Sequence, residues 1–411
     1  MKLNATQLDM VRRQIDRVKA FEGGLYHKKY ADISSADIQT AEDFLSLPFT
    51  EKDELRAVYP LGIQAVPDRD IVRIHSSSGT TGTPIIIPYT QKDVDDWAAM
   101  FARCYAMAGI TPEDRIHITP GYGLWTAGIG FQLGCEKLGA MAVPMGPGNT
   151  DKQLKMMMDL KSTVLCATSS YALLLAEEIA KRGIGDQIHL RKGVIGSERW
   201  GDKMRARIAA ELGVELYDIY GLTEIYGPGI GINCQKEEPM HYWDDFVYIE
   251  IIDPVTGQPV PDGEIGEIVI TTLQKEGAPL IRYRTHDLSR IVPEPCSCGS
   301  TFPRIDRIIG RSDDMVKVKG VNIYPGQVED VLKNVAGVSS EYQVMIDHLD
   351  GRDIMTLFFE MEPGADRSIV EVAVGAVFKA KVGLTIVPKG VAMGELPRSE
   401  KKSTRIFDNR Y

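Results

Sequence analysis

Ser76-Ser77-Ser78-Gly79-Thr80-Thr81-Gly82-Thr83-Pro84 stands between two apolar runs, Ile71-Val72-Arg73-Ile74 and Ile85-Ile86-Ile87. The runs predict strands, and the segment between them is a loop of small hydroxyl residues and glycines. Backbone N–H groups and hydroxyls in such a loop can wrap phosphate oxygens. The same composition also suits a flexible surface connection. It is not a Walker loop, because no Gly-Lys-Ser/Thr closes it. Downstream, helical periodicity over 93–108, 151–160, 171–180 and 203–212 alternates with short apolar runs at 116–118, 141–145, 164–167, 193–196 and 214–218. That alternation predicts an α/β fold, with parallel or mixed sheets flanked by helices.

Upstream, Leu8, Val11, Ile15 and Val18 recur at helical spacing, so the chain opens with an amphipathic helix. From about 245 the pattern changes. Runs at 246–252 and 267–272, with the turn Asp253-Pro254-Val255-Thr256-Gly257, predict an antiparallel β subdomain over about 235–300. The last hundred residues predict a small α+β domain, with helices over 328–335 and 368–379 and strands over 341–346 and 354–360. The polar stretch Gly310-Arg311-Ser312-Asp313-Asp314 marks the boundary between domains 1–311 and 312–411.

The 411 residues carry 47 Lys plus Arg against 57 Asp plus Glu, a net charge of −10. That balance argues against nucleic acid as a partner. It also means that phosphate chemistry needs a local basic site and a divalent cation. No run reaches the roughly 18 apolar residues of a membrane span. The first twenty residues lack the layout of a signal peptide. The expected location is the cytoplasm, without membrane association. Six cysteines are too few for a disulfide scaffold.

Four further segments carry chemistry-bearing side chains. Asp218-Ile219-Tyr220-Gly221-Leu222-Thr223-Glu224 follows a predicted strand, where α/β folds bind ligands. Its Thr and Glu suit a phosphate oxygen and Mg²⁺, or equally the capping of a following helix. The others are Arg282-Tyr283-Arg284-Thr285-His286-Asp287, Gly310 to Asp314, and the basic run Leu396-Pro397-Arg398-Ser399-Glu400-Lys401-Lys402-Ser403-Thr404-Arg405. Each alone also reads as a turn or a solvated tail.

In this order, the segments resemble the adenylate-forming superfamily of acyl-CoA synthetases, luciferases and peptide-synthetase adenylation domains. Leu47 to Arg56, Ile74 to Gly82, Gly121-Tyr122-Gly123-Leu124-Trp125, Asp218 to Glu224, Arg282 to Asp287 and Gly310 to Met315 narrow the resemblance to the phenylacetate–coenzyme A ligase family. It implies ATP-dependent joining of a carboxylic acid, of aryl or arylacetic type, to coenzyme A through an acyl adenylate. It further implies a β,γ-phosphate clamp at Ser76, Ser77, Ser78, Gly79, Thr80, Thr81 and Gly82. Thr223 would meet the α-phosphate, Glu224 would hold Mg²⁺, and Asp287 would accept the ribose hydroxyls, supported by Arg311. Asp218, Tyr220, Gly221 and the backbone at Ser197-Glu198 would contact adenine. Asp313 matches the hinge, and Lys402 matches the lysine that a rotating small domain delivers for adenylation. The acyl pocket would draw on Tyr122, Gly123, Trp125, Ile225 and Gly227; Trp125 also reads as core, and His75 as orienting the loop or lining the pocket. Members are often dimers, so a homodimer is an expected assembly.

Two positions depart from the family. Thr83 stands where the clamp usually has lysine, and Pro120 and Trp125 alter the aromatic stretch. The resemblance also brings two loops to the antiparallel subdomain. Cys234 and His241 on one, with Cys296 and Cys298 on the other, make a four-ligand set suited to structural zinc, and some relatives carry a comparable set. The alternative is four unlinked side chains in a reducing compartment. Two other functions stay open: an adenylating enzyme that does not use coenzyme A, such as one acting on a deazaflavin cofactor or another acceptor, and a non-catalytic nucleotide binder.

Overall fold

The computed structural model describes residues 3–77, 83–198, 200–314, 316–319, 321–349, 352–398 and 405–410. The chain forms two compact units, Met1–Gly146 with Tyr217–Ile308, and Pro147–Leu216 with Ile309–Tyr411. No helix among the described residues is long and apolar enough to cross a membrane.

The first unit opens with helix Ala5–Ala20, whose Asn4 and Gln7 form a reciprocal capping box. It buries Leu8, Val11, Ile15 and Val18, as their spacing predicts. Strands Arg73–Ser76 and Ile86–Tyr89 pair antiparallel, with Ser76 opposite Ile86. Ser77 fastens the mouth of the loop, since its N–H donates to Ile85 O and its Oγ accepts from Ile85 N, both at 3.0 Å. The first strand starts later than the apolar run predicts. Ile71 is still part of a turn, donating its N–H to Asp68 O. Helix Gln91–Met107 begins two residues ahead of expectation because Thr90 and Asp93 make a capping box. Strands Arg115–Ile118 and Met141–Pro144 are parallel, joined by helix Ala127–Leu138.

Strand Glu215–Leu222 is longer than expected. Its far half pairs antiparallel with Gly227–Asn233, Ile219 facing Ile232, so Asp218 to Leu222 are strand residues. No helix follows Glu224; Thr223 and Glu224 form a hairpin turn, which overturns their reading as a helix cap. Gly221 carries the glycine-like look of a loop for a different reason. A Cβ there would sit 2.0 Å from Gly227 O. Met240–Tyr242, Arg304–Ile305 and Ile291–Val292 extend the antiparallel order.

A separate antiparallel set joins Val247–Ile252, Gly266–Thr272 and Tyr283–Ser289. A bulge between Glu267 and Val269 shifts the register just where His286 takes a positive φ of 64°. Arg282 pairs with Glu250 in the interior, Nη2 to Oε1 at 2.9 Å, both side chains 3% exposed. Its Nη1 donates to Leu47 O at 2.6 Å and to Leu45 O. The Leu47 stretch is thus tied to the Arg282 stretch by one guanidinium.

In the second unit, Val164–Thr168 and Lys192–Gly196 are parallel, connected by helix Ser169–Arg182. Helices Thr150–Asp159 and Asp202–Leu212 complete this part. Further on, Val338–Leu349 and Arg352–Met361 form a long hairpin. Val387–Val391 and Ile406–Asp408 flank it, each parallel to its neighbour. Helices Pro325–Lys333 and Arg367–Val382 bury Val328, Val331, Val370, Val374 and Phe378 with Val344, Leu357 and Phe359 of the sheet. Each such side chain contributes about 1.5–3 kcal/mol on leaving water.

Candidate active site and metal centre

The hairpin turn after Leu222 gathers the polar end of the site. Thr223 Oγ1 lies 3.2 Å from Thr126 Oγ1. Glu224 is 4% exposed. Lys52 Nζ comes within 3.1 Å of its Oε1, yet that oxygen has no hydrogen bond of adequate geometry. A buried anionic oxygen with spare lone pairs is the donor that a hard cation such as Mg²⁺ requires. From the neighbouring strands, Tyr220 Oη donates to Asp287 Oδ2 at 2.8 Å, and Asp218 N–H donates to Asn233 Oδ1 at 2.6 Å. Thr285 Oγ1 accepts from Asp287 N. Asp287 therefore keeps its carboxylate fixed on one edge by a phenol.

Beside the turn is an aromatic cluster. His75 packs edge-on against Tyr89 and Trp97, at centroid distances of 5.2 and 5.6 Å. Burial pushes the His75 imidazolium down to about 4, so the ring is neutral. Its Nδ1 lies 3.1 Å from Leu124 O. A carbonyl only accepts, which assigns the proton to Nδ1 and leaves Nε2 as a buried acceptor without a partner. Tyr226 Oη is likewise unpartnered. Gly227 permits the close approach of this cluster, since a Cβ there would lie 2.6 Å from Trp97 and 2.8 Å from Thr126. Ile225 is fully buried; Tyr122 and Trp125 are half-buried and Gly123 is exposed.

Lys275 is the residue that sequence reasoning missed. It is fully buried, with Nζ 4.2 Å from the Tyr89 ring centre and 4.7 Å from that of Tyr226, and it donates to Ile225 O. Desolvation pulls its ammonium down to about 7, against the attraction of Asp93 and Glu224. Lys275-Glu276-Gly277 reads as a polar loop, and no local pattern marks its lysine as interior. Trp97 and Tyr89 were also missed; at helical and strand spacing among apolar neighbours they read as core.

In the second unit, Ser197 has φ 69°, and Glu198 Oε2 accepts from Ser169 Oγ at 2.9 Å and Ser170 N at 3.0 Å, tying this turn to the start of a helix. Arg311 forms a bidentate pair with Asp313, Nε and Nη2 each 2.8 Å from a carboxylate oxygen. Ser78, Gly79, Thr80, Thr81, Gly82 and Lys402 lie outside the described residues. Ser76 and Ser77 stand at the mouth of the loop, with Ser76 N donating to Leu124 O at 2.8 Å.

Cys234, His241, Cys296 and Cys298 come together, their ligand atoms within 4.8 Å of one another. Cys234 Sγ is 3.6 Å from Cys296 Sγ, and Cys298 Sγ is 3.4 Å from His241 Nε2. A regular tetrahedron with metal–sulfur bonds of about 2.3 Å has edges of about 3.8 Å, close to the two shortest separations, so three thiols and an imidazole stand near the spacing that zinc requires. The surroundings fit as well. His241 Nδ1 is held by Phe302 O at 2.9 Å, which points Nε2 at the thiols. Lys236 N and Ser300 N each donate to a sulfur, Cys234 and Cys298, at 3.4 Å. Amide donors of this kind favour thiolates.

Comparison with known proteins shows the family. Residues 13–274 match the AMP-binding enzyme family, and residues 320–410 match the AMP-binding enzyme C-terminal domain. Phenylacetate-coenzyme A ligase of Pseudomonas putida is 39% identical over 398 residues, covering 94% of this chain and 90% of that protein. The Thermus thermophilus enzyme of the same name is 37% identical, covering 100% and 97%. Among solved structures, 2-hydroxyisobutyryl-CoA ligase in the postadenylation state with 2-HIB-AMP has a TM-score of 0.88 at 25% identity, covering 100% of this chain and 91% of that one. The same ligase in the thioesterification state, with 2-HIB-AMP and CoA, has a TM-score of 0.71 at 25% identity, covering 98% and 89%. The relatives and the matched family models thus define an AMP-forming acid–CoA ligase that works through an acyl adenylate. Within that class, the chain belongs to the phenylacetate–coenzyme A ligase family.

Proposed function

We propose that the acid is an aryl or arylacetic acid. The observation that carries this reading is the aromatic stretch with half-buried Tyr122 and Trp125, backed by a fully buried framework of His75, Tyr89, Trp97 and Tyr226 in which His75 Nδ1 holds the Leu124 carbonyl. Flat rings pack well on such walls. Identity near 40% with phenylacetate ligases supports the same class.

In the first half-reaction, the acid's carboxylate oxygen attacks the α-phosphorus of ATP and pyrophosphate leaves. Thr223 would orient the α-phosphate by its hydroxyl, and Glu224 would hold Mg²⁺, which supplies positive charge to the phosphates. Asp287, fixed by Tyr220, would accept both ribose hydroxyls, with Arg311 as support. Asp218, Gly221 and the Ser197-Glu198 backbone would enclose adenine. The loop from Ser76 to Gly82 would cradle the leaving phosphates. Lys402 would meet the negative charge that builds as two anions approach. In the second half-reaction the thiol of coenzyme A attacks the acyl carbonyl and AMP leaves. Asp313 would act as the hinge between domains 1–311 and 312–411. Cys234, His241, Cys296 and Cys298 would hold zinc in a closed, structural site.

The test is pyrophosphate release with ATP, Mg²⁺ and a panel of aryl, arylacetic and short aliphatic acids, with and without coenzyme A. Turnover with arylacetic or aryl acids and dependent on coenzyme A is expected. Preference for short aliphatic acids refutes the aryl reading, and equal turnover without coenzyme A refutes the acceptor.

A further inference from the structure

The hairpin turn that bears Thr223 and Glu224 is closed where Leu222 pairs with Gly227, and Ile225 N donates to Leu222 O at 3.1 Å. Side chains from elsewhere in the first unit take the carbonyls of its descending arm. Lys275 Nζ donates to Ile225 O, and Tyr89 Oη donates to Tyr226 O at 3.0 Å. Two indoles continue the row, Trp97 Nε1 to Pro228 O and Trp243 Nε1 to Gly229 O, each at 2.8 Å. Lys275 also packs on the first two tyrosines, its Nζ 4.2 Å from the Tyr89 ring centre and 4.7 Å from that of Tyr226.

We propose that Lys275 and Tyr89 form a positioning clamp on the two carbonyls that follow Glu224, which fixes the Thr223–Glu224 turn at the spacing that the α-phosphate and Mg²⁺ need. The proposal rests on the roles given to Thr223 and Glu224 above. A clamp positions a turn only if its own base is fixed. Gln14, on helix Ala5–Ala20, donates Nε2 to Lys275 O at 2.8 Å. Asp93, in the first turn of helix Gln91–Met107, accepts from Glu276 N at 2.7 Å and from Gly277 N at 2.8 Å. Ala65 N donates to Gly277 O at 2.9 Å. The lysine therefore reaches the turn from a backbone tied to three other segments. Tyr89 is as firmly based, since it ends a strand paired with Arg73–Ser76.

The clamp takes backbone carbonyls and leaves the carboxylate alone. Glu224 is 4% exposed, and its Oε1 has no hydrogen bond of adequate geometry. A donor on that oxygen would compete with a cation for its lone pairs. Lys52 Nζ lies 3.1 Å from Oε1, but its side chain is 30% exposed, so water can receive it. Lys275 is fully buried and stays. Neutral donors satisfy the arm further along, at Tyr226, Pro228 and Gly229. Only at Ile225, beside Glu224, does this row use a cation, despite the cost of burying one. Glu224 and Asp93 both attract that ammonium.

The experiment reads ATP binding by calorimetry in the absence of any acid, without Mg²⁺ and at saturating Mg²⁺, so that no turnover intervenes. Adenylation is then read as single-turnover pyrophosphate release, with the panel acid that is fastest for wild-type enzyme. Lys275→Met fills a similar volume, and its folding is checked by urea denaturation. It is expected to lose most of the affinity that Mg²⁺ adds and to slow adenylation by about tenfold to a hundredfold, the scale of a lost outer-shell partner. Its affinity for ATP without Mg²⁺ is expected to be unchanged. Tyr89→Phe keeps the ring and removes only the hydroxyl, so it carries the test even where Lys275→Met does not fold. A smaller loss of the same kind is expected from it. An Mg²⁺-dependent gain equal to or above wild type in either variant, or equal losses with and without Mg²⁺, overturns the clamp. Wild-type affinity that does not depend on Mg²⁺, or a Glu224→Gln variant that keeps the full gain, removes instead the reading of Glu224, and the clamp falls with it.

Discussion

Lys275 offers a direct measure of what burying a cation costs this fold. It is fully buried with an ammonium pulled down to about 7 from an ordinary 10.5. The folded value lies below the unfolded one, so between about pH 7 and 10.5 the unfolded chain binds more protons. Stability supplied by this residue therefore rises with pH across that window, and the full net cost of the charge, desolvation less the pull of Asp93 and Glu224, is present below pH 7. The gap between 10.5 and about 7, at about 1.4 kcal/mol for each pH unit, makes that cost on the order of 5 kcal/mol. Lys275→Met fills a similar volume without the charge. It forfeits the hydrogen bond to Ile225 O and the ammonium's attraction to the Tyr89 and Tyr226 rings, together on the order of 2 kcal/mol. At pH 6 the variant should be the more stable by on the order of 3 kcal/mol. At pH 10 the neutral amine carries no such cost, and the advantage should vanish or reverse. Urea denaturation of both proteins at pH 6, 8 and 10 reads the difference, in which other titrating groups cancel. An advantage that does not change between pH 6 and 10 refutes the reasoning, because only titration of Lys275 makes it pH-dependent.

Zinc content and chelation test the metal centre: about one zinc per chain is expected by elemental analysis, with a strong chelator or Cys296→Ser lowering the melting temperature, and metal-free protein of unchanged stability would refute it. Asp287→Asn should raise the KM for ATP by tenfold to a hundredfold, the scale of hydrogen bonds to a charged group, with little change in the KM for the acid; equal effects on both would remove the ribose role. Lys402→Ala should lower adenylation by on the order of 10²–10³ while thioester formation from supplied adenylate persists, and a wild-type adenylation rate would remove that lysine from the reaction.

Much of the fold was legible locally. Helical spacing at Leu8, Val11, Ile15 and Val18, and the alternating runs between 93 and 212, each correspond to an observed element within a few residues. Errors fell where a distant partner decides the conformation. The apolar run of strand Glu215–Leu222 ends at 218, so Ile219 to Leu222 read as the segment that follows it. The strand continues because Gly227–Asn233 lies against it, and Gly221 is needed for that close approach. The helix start at Gln91 is set by a local signal, the capping box of Thr90 and Asp93.

The two sites differ in legibility for a chemical reason. Few roles need three thiols and an imidazole, and the family resemblance brings their two loops to one subdomain, so the set Cys234, His241, Cys296 and Cys298 was an expectation of the sequence, and its ligand atoms lie within 4.8 Å of one another. Aromatic residues have a common alternative use in the core, and Trp97, Tyr89 and Tyr226 satisfy the same spacing rules whether they face a substrate or a neighbour. Charges are more ambiguous still. Lys275 lies in a stretch that looks solvated, yet it is interior, and Glu177 looks like one more acid on a helix face, yet two arginines converge on it. Local pattern reports how a side chain suits its own helix or strand. The surroundings of Lys275 and Glu177 are set by partners dozens to hundreds of residues away, and only the folded chain brings those partners within reach.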